Sequence, residues 1–437
     1  MEFYSTNHSA PRVSFREAVM RGLPEDNGLY LPMHIPELNP DFISSLGKMN
    51  LQDIGIEVSL ALLGDELNRD ILSRIVTEAI DFDAPLRQVE KNIFSLELYH
   101  GPTYAFKDFG ARFMAGVLSH YMQQEAKKIT ILAATSGDTG SAVASGFHGM
   151  ENIRVVLLYP SGKVSELQEK QLTSFGGNIT SVEIKGTFDD CQIMVKQAFL
   201  DKELSGMISL TSANSINIAR LIPQTFYYFY GYGKLAAQGK PVIFSVPSGN
   251  LGNLCGGILA HKMGLPVAGF VAATNANNIV PIYLETGKFN PRPSLPTISN
   301  AMDVGNPSNF PRILELYGLQ HDHMAKEISG YAYADTVTKK IIKKIYDNYN
   351  YLLCPHSAIA YLGLHDELIA RGEEYNGIFL ATAHPAKFYD IIGDIIREEV
   401  TFPHALKAIL AKEKKSFPLS TDYKAFREFL LNLHGIL

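Results

Sequence analysis

Short apolar runs recur through the middle of this 437-residue chain, at 129–134, 154–159, 179–184, 207–210, 242–246 and 267–273, and helical segments such as 166–175 and 187–200 separate them. Runs that are apolar throughout, rather than at alternate positions, form strands buried on both faces. Strands of that kind alternating with helices build parallel sheets. The chain is therefore expected to be an α/β protein with open parallel sheets. Its length exceeds what one core supports, so two core-bearing units and an extension are expected. Their ranges are read as 1–86 for the amino-terminal extension, 87–225 for a smaller α/β unit and 226–437 for a larger one.

Within the extension, Ser14 and Glu17 have the spacing of a capping box and Gly22 ends the helix. The segment from Phe402 onward is charged and helical in pattern and is expected to close the fold. A net charge of -6 leaves no basic face for nucleic acid, which argues against that class of partner. No stretch reaches the about 18 apolar residues of a membrane span, and the first eight residues carry neither a basic region nor an apolar core. A cytoplasmic protein is expected, monomeric or homodimeric, that acts on a small molecule and not on a membrane or nucleic acid. Cys191, Cys255 and Cys354 are widely spaced and odd in number, so they read as core residues rather than a disulfide set. The thirteen histidines include no HExxH pair, His321-Asp322-His323 reads as a surface loop, and no metal site is indicated.

Ligands of open α/β sheets bind beyond the carboxyl ends of the strands, which directs attention to the loops there. Ser248-Gly249-Asn250-Leu251-Gly252-Asn253 follows one strand and opens a helical run. Its glycines let backbone amides approach an anion, and the helix start adds a favourable field. The same residues taken alone read equally as a turn needed for helix packing. Ser136, Asp138 and Thr139 lie in a similar loop that suits a carboxylate, or else a helix start capped by Thr139 or Asp138. Asn214 and Ser215 precede Arg220 in a third loop, where a guanidinium would hold a phosphate bidentately or pair with a surface carboxylate. Thr382 sits at the end of the run 377–381, followed by His384 and Lys387, which read as a partly buried imidazole and a solvated amine.

Lys107 is a lone ammonium between Phe106 and Phe109 at the start of a helical pattern. Desolvation there lowers its pKa and suits it to attack a carbonyl. A desolvated lysine together with a phosphate-binding loop is the pair that pyridoxal 5'-phosphate needs, since that cofactor carries both an aldehyde and a phosphate.

Taken together, the motifs at 13–15, 27–29, 100–112, 136–140, 214–220, 248–253 and 382–388 resemble the threonine synthases, pyridoxal-phosphate enzymes with the fold of tryptophan synthase β chains. The resemblance spans nearly the whole chain and looks closest to the subgroup with a long amino-terminal extension. It implies two open parallel-sheet domains, a Schiff base on Lys107, the cofactor phosphate on the loop from Ser248 to Asn253, and Thr382 at the pyridine nitrogen. Asp138 stands where many relatives of this fold carry an asparagine beside the cofactor's 3-hydroxyl. Ser136 and Thr139 are implied to bind the substrate's carboxylate or phosphate, and Asn214, Ser215 and Arg220 to grip its phosphate. The implied substrate is O-phospho-L-homoserine. A threonine dehydratase or phospholyase of the same fold, or a non-catalytic cofactor-binding protein, is the alternative.

Overall fold

A computed structural model describes residues 1–123, 128–372 and 374–436. Two parallel sheets carry the chain. The larger has six strands in the order Ile328–Ala332, Val267–Thr274, Val242–Pro247, Asn376–Ala381, Ile93–Glu97 and Leu86–Glu90, and only the last, at the edge, runs antiparallel to its neighbour. The smaller has five parallel strands in the order Phe417–Leu419, Ile179–Ile184, Ile153–Pro160, Ile129–Ala134 and Ser209–Ser212. Ile129–Ala134 and Asn376–Ala381 are buried at every position, as expected for strands covered on both faces.

The contiguous ranges expected from the sequence do not follow the sheets. Leu86–Glu90 and Ile93–Glu97 join the larger sheet although the helices and strands that follow belong to the smaller one, and Phe417–Leu419 returns to the smaller sheet from the far end of the chain. That last strand lies inside a segment expected to be helical. It has three residues, one of them Pro418, and sits at an edge, where a missing amide costs no ladder bond.

The first 80 residues are not an appendage. Phe3, Phe15, Ile54 and Ile75 belong to the same buried cluster as Phe113 and Phe226. Ser14 Oγ accepts from the Glu17 amide at 3.1 Å, but Glu17 turns its carboxylate to Arg21, so the capping box is only half made. Glu66 instead accepts from two other first-turn amides, those of Phe15 and Arg16, at 2.8 and 2.7 Å and ties the first helix to the next layer. His321–Glu327 forms a helix where a loop was expected, and the His321 ring lies against the Tyr283 and Leu284 carbonyls. All three cysteines are buried. Among the described residues no helix is long and apolar enough to cross a membrane.

Candidate active site

The site lies between the two sheets, where the strands end. The segment after Ile93–Glu97 is laced onto the end of Asn376–Ala381: Leu98 N donates to Ala381 O, Phe106 N to Thr382 O and His384 N to Tyr104 O, at 2.9, 2.9 and 3.1 Å. This sets Lys107, the first residue of the helix Lys107–Met122, beside Thr382. The Lys107 ammonium lies 5.1 Å from the Phe106 ring centre. Burial pulls its pKa down to about 8, with Asp138 opposing that shift and Arg220 and Lys387 reinforcing it.

Lys107, Ser136, Asp138, Thr139, Asn214, Ser215, Arg220, Gly249, Asn250, Leu251, Gly252, Asn253 and Thr382 all line one cavity. Ser248 is set back from it. Its Oγ donates to Val246 O and its amide to Ala273 O, so it anchors the loop to the sheet. The loop is braced from outside: Asn250 Oδ1 accepts from Ser308, and Asn309 donates to Asn250 O. Tyr227 and Tyr228 both donate to Asn253 Oδ1, at 2.7 and 2.9 Å, which leaves the buried Asn253 Nδ2 without a partner. Leu251 takes a left-handed conformation at φ 61°, an unfavourable geometry for a branched side chain, just before the helix Gly252–Lys262. The first amides of that helix have no intrahelical acceptor.

On the smaller sheet, Asn214 spends its amide group bridging both backbone atoms of Ala134, so it braces the end of the strand. Ser215 Oγ accepts from Asn309. Arg220 is buried in the helix Ile218–Leu221, donates through Nη1 to Ala213 O, and leaves Nε unpaired. It approaches the lysine helix at Gly110, where a Cβ would lie 2.8 Å from both Arg220 Nε and Arg220 O. Among the described residues no carboxylate pairs with it. Burial lowers its pKa to about 10. A buried guanidinium with an unused donor is costly unless an anion arrives to meet it.

One residue departs from expectation. Lys387 is not solvated. It is fully buried, with Nζ 2.7 Å from Asp138 Oδ1 and 3.0 Å from Thr103 O. Burial by itself would raise the Asp138 pKa; Lys387 first, and Lys107 second, outweigh it and hold the carboxyl well below its ordinary range. His384 is partly buried as expected and caps the turn Pro385–Phe388, its Nδ1 accepting from the Ala386 amide.

His356 was not legible in the sequence. It lines the cavity from the first turn of Pro355–Arg371, with Nε2 buried and unpaired and its pKa lowered to about 4 by burial. Arg312, also missed, is fully buried and donates to the carbonyls of Tyr30, Ser215 and Ile216, joining the extension to the Arg220 loop. Neither has a local motif; only the tertiary fold brings them here.

The residues present fit pyridoxal phosphate. They supply an amine of lowered pKa, a left-handed loop opening onto unsatisfied helix amides, and an orphaned amide donor in Asn253. Two parallel sheets meeting at such a cleft define a site of the pyridoxal-phosphate type. Residues 74–380 match the family described as pyridoxal-phosphate dependent enzyme, residues 2–80 that described as threonine synthase N terminus, and residues 357–430 that described as threonine synthase, C-terminal. The chain is 45% identical over 432 residues to the threonine synthase of Haemophilus influenzae, covering 99% of this chain and 100% of that one. It superposes on the crystal structure of threonine synthase from Escherichia coli with a TM-score of 0.94, at 43% identity, covering 99% and 100% of the two chains. For the pyridoxal-phosphate-bound threonine synthase from Brucella melitensis the TM-score is 0.91 at 34% identity, covering 99% of each. The chain belongs to the threonine synthase family, and the alternatives within the fold are not favoured.

Proposed function

We propose that the chain converts O-phospho-L-homoserine and water to L-threonine and inorganic phosphate, the last step of threonine biosynthesis. The observation that carries this reading is Arg220, a buried cation with no carboxylate in ion-pair contact among the described residues, which lines the same cavity as the loop of Gly249–Asn253. One anion-binding loop serves a cofactor, and a second implies a substrate with its own phosphate.

Lys107 and the amides from Gly249 to Asn253, with the Asn253 side chain, would hold pyridoxal phosphate, and Thr382 would meet its ring nitrogen. When bound, this cofactor supplies an electron sink for the pair left at the substrate's Cα. Lys107, kept neutral more readily by its lowered pKa, takes the proton from Cα and then one from Cβ, whose electron pair expels the phosphate from Cγ; it returns protons to Cγ and Cα, and water adds its oxygen at Cβ. Arg220 orients the departing phosphate and balances its charge. Ser136 and Thr139 bind the substrate carboxylate at the start of the helix Asp138–Phe147. Ser215, steadied by Asn309, contributes a hydroxyl to the phosphate.

The test is an assay of purified protein with O-phospho-L-homoserine, following threonine and phosphate together. Equal release of both is expected. Ammonia and a 2-oxo acid in place of threonine would overturn the reading. In Lys107→Ala, turnover should fall by about three orders of magnitude or more.

A further inference from the structure

Lys387 and Asp138 form an ion pair across the cleft: Lys387 lies in the turn after the larger sheet's Asn376–Ala381, and Asp138 opens the helix after the smaller sheet's Ile129–Ala134. Both side chains are almost wholly buried, at 0% and 4% exposure. A buried pair contributes little net stability, because desolvation offsets the attraction, so packing alone does not account for it.

The hydrogen bonds give the pair a direction. Asp138 Oδ1 receives Lys387 Nζ at 2.7 Å and Gln168 Nε2 at 3.1 Å. Gln168 is fixed in turn by the capping box of its own helix, where its Oε1 accepts from the Ser165 amide. Asp138 Oδ2 has no protein partner among the described residues, and Asp138 lines the cavity whereas Lys387 does not. Behind Asp138, Lys387 also donates to Thr103 O, which Gln171 shares. One carboxylate oxygen is thus clamped from behind and the other is left for the ligand.

We propose that Lys387 is a positioning residue that holds Asp138 as an ionised acceptor facing the cavity, and that the pair, neutral as a unit, fixes the charge felt at the Lys107 nitrogen. This deepens the function proposed above and rests on Lys107 being the cofactor lysine. An asparagine could donate an N–H to a ligand oxygen at this place; a clamped carboxylate can only accept. The other groups facing this cluster are Arg220 on the smaller sheet's side, His356 and Cys354 at the start of Pro355–Arg371, Asp303 on the loop across the cavity, and Asp108 in the lysine helix. Removing the Lys387 charge leaves Asp138 as an uncompensated anion beside Lys107. Removing both charges restores neutrality.

The test is a pH titration of the visible absorbance of the cofactor-loaded protein. Lys387→Met should raise the midpoint by about one pH unit or more, as an unbalanced anion nearby favours the protonated nitrogen. Lys387→Gln, which keeps an N–H donor there without the charge, should give the same rise and keeps the test open if Lys387→Met does not fold. The double variant Asp138→Asn with Lys387→Met should return the midpoint to within about half a unit of the parent. An unmoved midpoint in the neutral single variants, or a double variant that keeps their raised midpoint, would overturn the proposal. Failure of the underlying reading would look different: Lys107→Ala would keep the parent's absorbance and titration.

Discussion

Two loops of this molecule follow one plan, a buried strand ending in a glycine-bearing turn that opens a helix, yet they use their amides differently. After Ile129–Ala134, Thr135 Oγ1 accepts from the amides of Gly137 and Gly140 at 3.0 and 2.8 Å, so the turn caps itself. After Val242–Pro247, Ser248 faces back to the sheet, and the bracing of Asn250 and Asn253 comes from Ser308, Asn309, Tyr227 and Tyr228. Among the described residues the amides from Gly249 to Asn253 have no protein acceptor, whereas the first loop has already committed two of its own. Sequence pattern alone gives the two loops the same reading. What separates an anion cradle from a capped helix is whether the bracing comes from inside or outside the turn.

The loops also differ in charge, and this gives the largest expected effect. Asp138 is the first loop's only ionisable side chain, and the second loop has none. Asp138→Asn leaves Lys387 buried without its counter-ion and should cost on the order of 3–5 kcal/mol at neutral pH, measured by chemical denaturation. The folded-state pKa of Asp138 lies well below its ordinary 3.8, so its contribution is fully present above that value and is lost progressively as pH falls from there through the folded-state pKa. The parent should therefore lose stability below about pH 4 more steeply than Asp138→Asn. Parallel pH profiles would mean that the pair does not distinguish the two loops.

A second substitution attacks the open loop. A Cβ on Gly249 would lie 2.9 Å from both Ala301 O and Met302 Cα, so the facing backbone must move and the amides with it. Gly249→Val should weaken binding of pyridoxal phosphate by about a hundredfold, near 2.7 kcal/mol, read by titrating the ligand-free protein. Affinity that stays at the parent level would remove this loop from the cofactor site.

Much of this was legible in the residues, and what was not has a common cause. Strand runs such as 129–134 and 179–184 agree with the observed Ile129–Ala134 and Ile179–Ile184, because burial on both faces leaves an uninterrupted apolar signature. Lys107 and the glycine loop were legible because their chemistry is local. Lys387 was misread as solvated because nothing in Ala386-Lys387-Phe388 indicates that Asp138, almost 250 positions earlier, will face it. His356, Arg312 and the strand Phe417–Leu419 were missed for the same reason: each owes its place to partners remote in sequence. Asn214 was legible as part of the site but not as a brace, since its bond to Ala134 depends on how Ser209–Ser212 pairs with Ile129–Ala134.

The mildest test returns to the self-capped turn. Thr135 is fully buried, and valine has nearly its shape, so Thr135→Val removes the hydroxyl without opening a cavity. The Gly137 and Gly140 amides then lose their acceptor inside the protein, at a cost of about 1–2 kcal/mol in folding stability. Cofactor affinity should stay within about twofold of the parent, because the cradle is braced by residues that do not touch Thr135. If affinity fell as far as in Gly249→Val, the two turns would be acting on one ligand and the contrast drawn between them would fail. If it stayed while stability fell, the amides committed to Thr135 would be structural, and the anion contacts on this side would fall to Ser136, Thr139 and Arg220.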